Sequence, residues 1–320
     1  MKIVVTGATG FIGSRMTAFL KKKGHIVKAI GRNSAKDHYR YRWFSKADSI
    51  ENIDLLNISK FLSAIQGYDM VFHFAADMGG VGYFSQQQYT PFINNMRMDL
   101  NLVEASVKGG IKKIYYSASA CAYPIDAQLK EGEPPKLAEH MLVPANSDQM
   151  YGWEKLMMIL LSEHSPIDMR VGILNTVFGE GQEGVGARAK FPPSIVHKII
   201  EAKKSKNPIE IWGNGKQTRT FLYIEDALGK MYEIMMKKNY KGPVNVASDE
   251  IVTVKQCADW LCEFAGIKPK YIFDTSKPSG VLARGIDNNK FYQMYRYKNR
   301  YTTKKGFQKL YSFMIKNGSF

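Results

Sequence analysis

The sequence predicts an α/β protein built on a doubly wound parallel sheet, with a smaller mixed α/β region toward the C-terminus. Three observations carry this. Short apolar runs alternate with amphipathic stretches, the order produced when helices cover both faces of a parallel sheet. A glycine-spaced turn follows the first run directly. The 320 residues are 45% hydrophobic, enough for a sizeable core, which excludes wholesale disorder.

Taken in order, strands are expected at Ile3–Val5, Ile26–Ile30, Met70–Phe74, Ile114–Tyr116 and Met169–Ile173. Helical periodicity is clearest at Ile12–Lys23, Phe92–Lys108 and Gln149–Glu163. After Asn175 the texture changes. Gly179–Gly186 is glycine-rich, Pro192–Pro193 opens a helix toward Lys204, and Ile209–Trp212 reads as a short strand. Ile224–Lys237 reads as a helix returning to the first unit. The expected division is 1–175, rejoined by about 220–243, against a discontinuous second unit of 176–219 and 244–320.

Gly7-Ala8-Thr9-Gly10-Phe11-Ile12-Gly13 joins the first strand to the first helix. Gly7 permits the tight turn, Gly10 lets the backbone approach a pyrophosphate, and Gly13 allows close helix–strand packing. The first-turn amides and the positive end of the helix dipole then face the phosphates. This predicts a nicotinamide dinucleotide. Cofactor choice depends on the end of the second strand, where an acid holds the ribose of NAD and a basic residue accommodates the extra phosphate of NADP. Here Ala29-Ile30-Gly31-Arg32-Asn33 supplies no acid, so Arg32 is a candidate phosphate ligand and NADP stands beside NAD. Asp54 and Leu55 are expected to flank the adenine, with Ala75 and Ala76 beside the cofactor.

Tyr151 and Lys155 are four apart in a helical stretch and share a face. A phenol with an ordinary pKa near 10 is a poor base at neutral pH. A neighbouring ammonium and a nicotinamide cation both favour the phenolate. Ser119, at the end of the strand that starts near Ile114, completes the set by hydrogen-bonding the reacting hydroxyl. Cys121 lies two residues further, on the loop leaving the strand tip, where such sheets bind ligand. A thiol there is a candidate catalytic group, whereas Cys257 and Cys262 fall in an amphipathic helix and read as core. His73, inside a strand, reads as structural.

With these motifs the chain resembles the extended short-chain dehydrogenase/reductases over essentially its whole length. Ser119-Ala120-Cys121-Ala122-Tyr123-Pro124 narrows the likeness. The family's sugar-nucleotide dehydratases carry an Asp-Glu pair where Ala120 and Cys121 stand, and a cysteine there resembles the GDP-mannose 3,5-epimerase branch. Further resemblances to that branch lie in the loop Ala75-Ala76-Asp77-Met78-Gly79-Gly80-Val81-Gly82, in Asn175 and in Lys190, which matches a second acid/base. Lys198, Gln217, Arg219 and Arg284 match positions that hold the nucleotide diphosphate. The resemblance implies NAD as cofactor, a GDP-sugar such as GDP-mannose as substrate, and a homodimer paired through the helices at Phe92–Lys108 and Gln149–Glu163. The chain departs from the pattern at Gly31, where NAD-using relatives carry an acid, and at Ala189, where plant-type enzymes carry another. The rival readings are another NAD(P)-dependent sugar-nucleotide epimerase, dehydratase or reductase, and a non-catalytic NAD(P)-binding regulator or RNA-binding protein.

The formal net charge is +16, and residues 281–320 hold nine Lys/Arg against the single acid Asp287. Such a balance favours phosphate-bearing partners. No recognisable nucleic-acid module accompanies it, so the charge reads as a solvated basic face. Three cysteines make neither a disulfide framework nor a zinc pattern. No apolar run is long enough to span a membrane, and the first residues lack a signal peptide's core. The expectation is a cytoplasmic protein without a metal.

Overall fold

The computed structural model describes residues 1–238 and 240–318. A seven-stranded parallel sheet forms the centre. Its strands are β1 (Lys2–Thr6), β2 (Ile26–Gly31), β3 (Ser49–Asn52), β4 (Met70–His73), β5 (Lys113–Ser119), β6 (Asp168–Leu174) and β7 (Val244–Val246), in the spatial order β7-β6-β5-β4-β1-β2-β3. Strand order reverses beside β1, and the C-terminal ends of β1 and β4 open a crevice there. Side chains alternate across the sheet. Ile3 and Val5 enter one core with Met16, Leu20 and Met231, while Val4 enters the other with Phe61, Leu102 and Ile159.

On the first face lie α1 (Phe11–Lys22) and α6 (Ile224–Met236). On the second lie α2 (Ile58–Ile65), α3 (Tyr89–Lys108) and α4 (Gln149–Glu163). The remaining chain packs α5 (Phe191–Ser205), α7 (Val254–Ala265) and α8 (Thr303–Asn317) against one another. Ile209–Trp212 runs parallel to Tyr271–Asp274, and Thr218–Thr220 runs antiparallel to Ile251–Thr253. Pro192 and Pro193 sit in the first turn of α5, where a missing N–H costs nothing. The two cysteines of α7 are buried in the core. Phe291 and Tyr295 pack in the same core with their rings 5.0 Å apart.

Several elements escaped the sequence reading, among them β3, α2 and α8. The strand β3, Ser-Ile-Glu-Asn, has one apolar residue and pairs only with β2 at the sheet edge, so burial imposes little pattern on it. The helix α2 is two turns long, and Asn57 caps it by accepting from Lys60 N. Other bounds shift: β5 runs on to Ser119, and α3 starts at Tyr89 because Pro91 is tolerated in a first helical turn. Val244–Val246 pairs with Gly172–Leu174 as the last strand of the large sheet, so this strand lies beyond the expected division between 243 and 244. Its three residues are all apolar or buried, and β6 would otherwise be an open edge.

Candidate active site

The dinucleotide turn closes as its glycines require. Gly7 has φ +63°, and a Cβ there would lie 2.5 Å from Ala75 N. A Cβ on Gly13 would lie 2.2 Å from Gly7 O. Over Gly10 the surface is open apart from Gly7 O. No side chain caps the first turn of α1, so the amides after Gly10 in the Phe11-Ile12-Gly13 segment point at the crevice with no side-chain acceptor. A glycine floor under an uncapped helix end fits a pyrophosphate. Ala75 and Ala76 are half-buried beside it. Arg32 is exposed, and Asp54, also exposed, accepts from Leu56 N. Leu55 is buried in the core, and its carbonyl accepts from Asn101 Nδ2 at 2.8 Å. Gly31 has a physical reason to lack an acid, since a Cβ there would sit 2.7 Å from the Thr9 side chain.

Tyr151 is buried at the start of α4 and stacks on Phe84 with ring centroids 4.8 Å apart. The turn Ala120–Ala122 lies against it, with Ser119 Oγ accepting from Cys121 N at 3.2 Å. Gly152 makes this approach possible: a Cβ there would lie 2.2 Å from Cys121 O. Burial pushes the Tyr151 phenol well up, and the Lys155 charge and a hydrogen bond with Ser119 only partly oppose it. The sequence reading expected a net lowering. Burial wins because the ammonium is shared: Lys155 Nζ donates to Tyr116 OH at 2.8 Å, pairs with Glu154 at 2.7 Å, and stands 5.6 Å from the Tyr151 ring centroid.

Across from this turn lies a basic cluster. Arg284 Nη1 is 3.5 Å from Cys121 Sγ, and Nη2 donates to Asp148 at 3.1 Å. Its Nε donates to Gln128 Oε1. Arg219 donates to Val281 O at 2.6 Å, and burial together with the Arg284 charge pulls its guanidinium down to about 9. Two guanidiniums repelling each other, Arg284 buried and Arg219 half-buried, make an anion-binding arrangement. Beside them Gln217 Oε1 and Thr218 Oγ1 are buried without a hydrogen-bond partner. Burial likewise depresses the Lys190 ammonium, which is close enough to Cys121 to feel its charge. Asn175, at the end of β6, donates to Thr220 Oγ1 at 2.7 Å. Lys198 is turned to a different neighbour, Glu210, at 2.7 Å. Gly79 and Gly80 bring the loop from Ala75 to Gly82 against Lys190, for a Cβ on Gly80 would lie 2.4 Å from Ala189 O.

Two groups of functional interest were not anticipated. Arg188 clasps that loop, donating to Asp77 Oδ1 at 2.7 Å, to Met78 O at 2.8 Å and to Tyr83 OH at 2.9 Å. Beneath Lys155, buried Glu154 and Asp99 meet Tyr116, His73 and Asn95. Glu154 could have been flagged as an acid inside the Tyr151–Lys155 helical turn. Asp99 carried a weaker signal, four residues after Asn95 on the same helix face. Among the described residues no cluster of His, Cys, Asp or Glu could hold a metal, and no helix is long and apolar enough to cross a membrane.

Comparison with known proteins meets this geometry. The sequence profile of the NAD dependent epimerase/dehydratase family matches residues 3–247. The chain belongs to that family. Among its relatives, the GDP-mannose 3,5-epimerase of Arabidopsis thaliana is 34% identical, over 90% of this chain and 75% of that protein. The GDP-L-colitose synthase of Yersinia pseudotuberculosis is 24% identical, over 90% of each chain. In fold, the epimerase/dehydratase domain matches the UDP-glucose 4-epimerase of Thermotoga maritima, with a TM-score of 0.85 at 20% identity over 99% of both chains. The Thermus thermophilus UDP-glucose 4-epimerase, solved with NAD, has a TM-score of 0.83 at 18% identity, covering 99% of this chain and 100% of that one. The large sheet is thus of the Rossmann type shared by these epimerases.

Proposed function

We propose that this family member is a sugar-nucleotide epimerase that acts on GDP-mannose at carbons 3 and 5. The observation that carries the reading is the gathering of Lys190, Tyr151 and Arg219 around Cys121, with Arg284 3.5 Å from its sulfur. Bound NAD supplies a hydride acceptor and donor for sugar carbon 4. The glycine turn holds the pyrophosphate of that cofactor. Tyr151 takes the proton of the carbon 4 hydroxyl, with Ser119 orienting that hydroxyl and Lys155 favouring the phenolate. A ketone at carbon 4 acidifies the hydrogens on carbons 3 and 5, because their carbanions delocalise as enolates. Inversion needs a base on one face and an acid on the other. Cys121 and Lys190 serve as that pair, and burial brings the lysine closer to neutrality. Arg219, Arg284 and Gln217 hold the diphosphate end, while Gly79, Gly80 and Asn175 face the sugar.

Support for a homodimer comes from apolar side chains left exposed on α3 and α4: Leu100 and Val107 on the first, Met157 and Leu160 on the second. The cytoplasm is the compartment that suits three unpaired cysteines and a nucleotide-sugar substrate.

The test is incubation with GDP-mannose in deuterated water. New hexose isomers should form, with deuterium at carbons 3 and 5 and none at carbon 4. Conversion of a UDP-sugar instead, or isomers free of deuterium, would replace this reading with a 4-epimerase.

A further inference from the structure

The buried set under Lys155 draws on five elements. Thr6 Oγ1 on β1 lies 2.8 Å from His73 Nδ1 on β4, and His73 Nε2 lies 3.0 Å from Asp99 Oδ1 on α3. Tyr116 OH on β5 lies 2.7 Å from Asp99 Oδ2 and 3.0 Å from Glu154 Oε1 on α4. Asn95 Nδ2 donates to Glu154 Oε2 at 3.2 Å. Lys155 reaches Tyr116, Glu154 and, at 3.8 Å, Asp99. All seven side chains are buried.

Counting hydrogens favours a proton on one acid in this set. The Tyr116 oxygen has a single hydrogen, and it already accepts from Lys155. That hydrogen can go to Asp99 or to Glu154, yet both carboxyl groups touch the oxygen. Asp99 is the better anion. It takes His73 and Tyr116 on its two oxygens and feels the lysine, and although burial opposes its charge, these partners hold its carboxyl down to about 2. Glu154 has one amide donor from Asn95 besides Lys155, and burial pushes its carboxyl up to about 7.

We propose that Glu154 is stored as a neutral carboxylic acid and is a positioning residue for Lys155, its proton deciding whether the ammonium serves Tyr151 and the cofactor or is captured by a pair of carboxylates. The role in turnover rests on the epimerase reading; the proton and its effect on cofactor binding do not. With Glu154 protonated, only Asp99 competes for the ammonium. As pH rises and the proton leaves, a second carboxylate 2.7 Å away holds Lys155, and the added negative charge also opposes a phenolate at Tyr151. The groups facing Glu154 are Lys155 and Tyr151 on its own helix, Asp99 and Asn95 from α3, Tyr116 from β5 and, through Asp99, His73 from β4.

The experiment uses the full chain and its E154Q variant, glutamine being the uncharged isostere. In infrared spectra the wild type should show the carbonyl band of a protonated, buried carboxylic acid near pH 6 that disappears toward pH 9. E154Q should lack it. By calorimetry, wild-type affinity for NAD should weaken as pH rises above about 7, with a slope of at most tenfold per pH unit, the limit for one proton. For E154Q the same affinity should be flat. An acid band that persists in E154Q, or an unchanged pH dependence of NAD binding, overturns the proposal. If E154Q does not fold, Asp99→Asn decides. Removing the competing carboxylate should let Glu154 ionise, so the band should be lost at lower pH; a band titrating as in the wild type overturns the proposal. Failure of GDP-mannose turnover with these results intact would remove the epimerase reading alone.

Discussion

Cys121 sits just beyond the tip of β5 with Arg284 3.5 Å from its sulfur and half-buried Lys190 close enough to feel its charge. Its backbone is held by Asp148 N to Cys121 O at 2.9 Å and Cys121 N to Ser119 Oγ at 3.2 Å, and neither of these two contacts involves the thiol. Cys121→Ala should therefore fold and bind NAD normally while losing deuterium exchange at both carbons by about a hundredfold or more, the usual scale for a general acid–base group. Retained exchange, read by mass spectrometry of the sugar, would return the cysteine to a packing role. Lys190→Ala should behave differently. It leaves Cys121 able to remove a proton but takes away the group that delivers one to the other face, so exchange should outlast net epimerisation. Much of this chemistry was readable from the chain, because the glycine turn, Ser119, Cys121 and the Tyr151/Lys155 pair are each local in sequence. The partners of Lys155 were not. Asp99 and Tyr116 come from two other elements, and only folding brings them to one ammonium.

At the scale of elements, α4 is held against the Ala120–Ala122 turn through a single glycine. Gly152→Ala would place a methyl 2.2 Å from Cys121 O, and backbone cannot yield there as a flexible side chain could. The expected cost is about 1–3 kcal/mol of stability, typical of overpacking. Because the strain falls on the turn that carries Cys121, activity should drop further than a denaturant titration alone suggests. Equal and small losses in both would show that the helix simply shifts. The outer face of α4 makes the second prediction. Met157 and Leu160 remain 47% and 42% exposed in the single chain. Replacing both with glutamate should halve the mass seen by light scattering; a mass that never exceeded one chain in the wild type would defeat the dimer. Elements with a strong apolar pattern were legible from sequence, including the buried strands β1, β2, β4 and β6. Edge strand β3 was not, since a strand with one neighbour and one apolar residue carries little periodic signal.

For the molecule as a whole, cofactor choice is the property that sequence and structure approach from different sides. The family's description names NAD, yet the end of β2 offers Gly31 and an exposed Arg32 with no acid. The structure adds that Thr9 fills the space beside Gly31. A ligand that binds only the folded protein stabilises it by about 2.7 kcal/mol at a hundredfold excess over its Kd. NAD should therefore raise the melting temperature more than NADP at equal concentration. The reverse order in a thermal melt would assign Arg32 to the extra phosphate.

The placement of β7 has a consequence for how the chain is made. Val244–Val246 completes the sheet against a strand that ends at Leu174, some seventy residues earlier. A nascent chain emerging from the ribosome thus holds the Gly7–Gly13 turn and six strands while β6 still shows a bare edge, and everything between must emerge before that edge is covered. Non-local closure of this kind is slow, and an uncovered strand is an invitation to pair with another copy. During synthesis the dinucleotide crevice can take shape well before the half of the pocket built around Arg219 and Arg284 exists. The crevice beside β1 and β4 is separated from that bare edge by β5, so only the arrival of Val244–Val246 closes it.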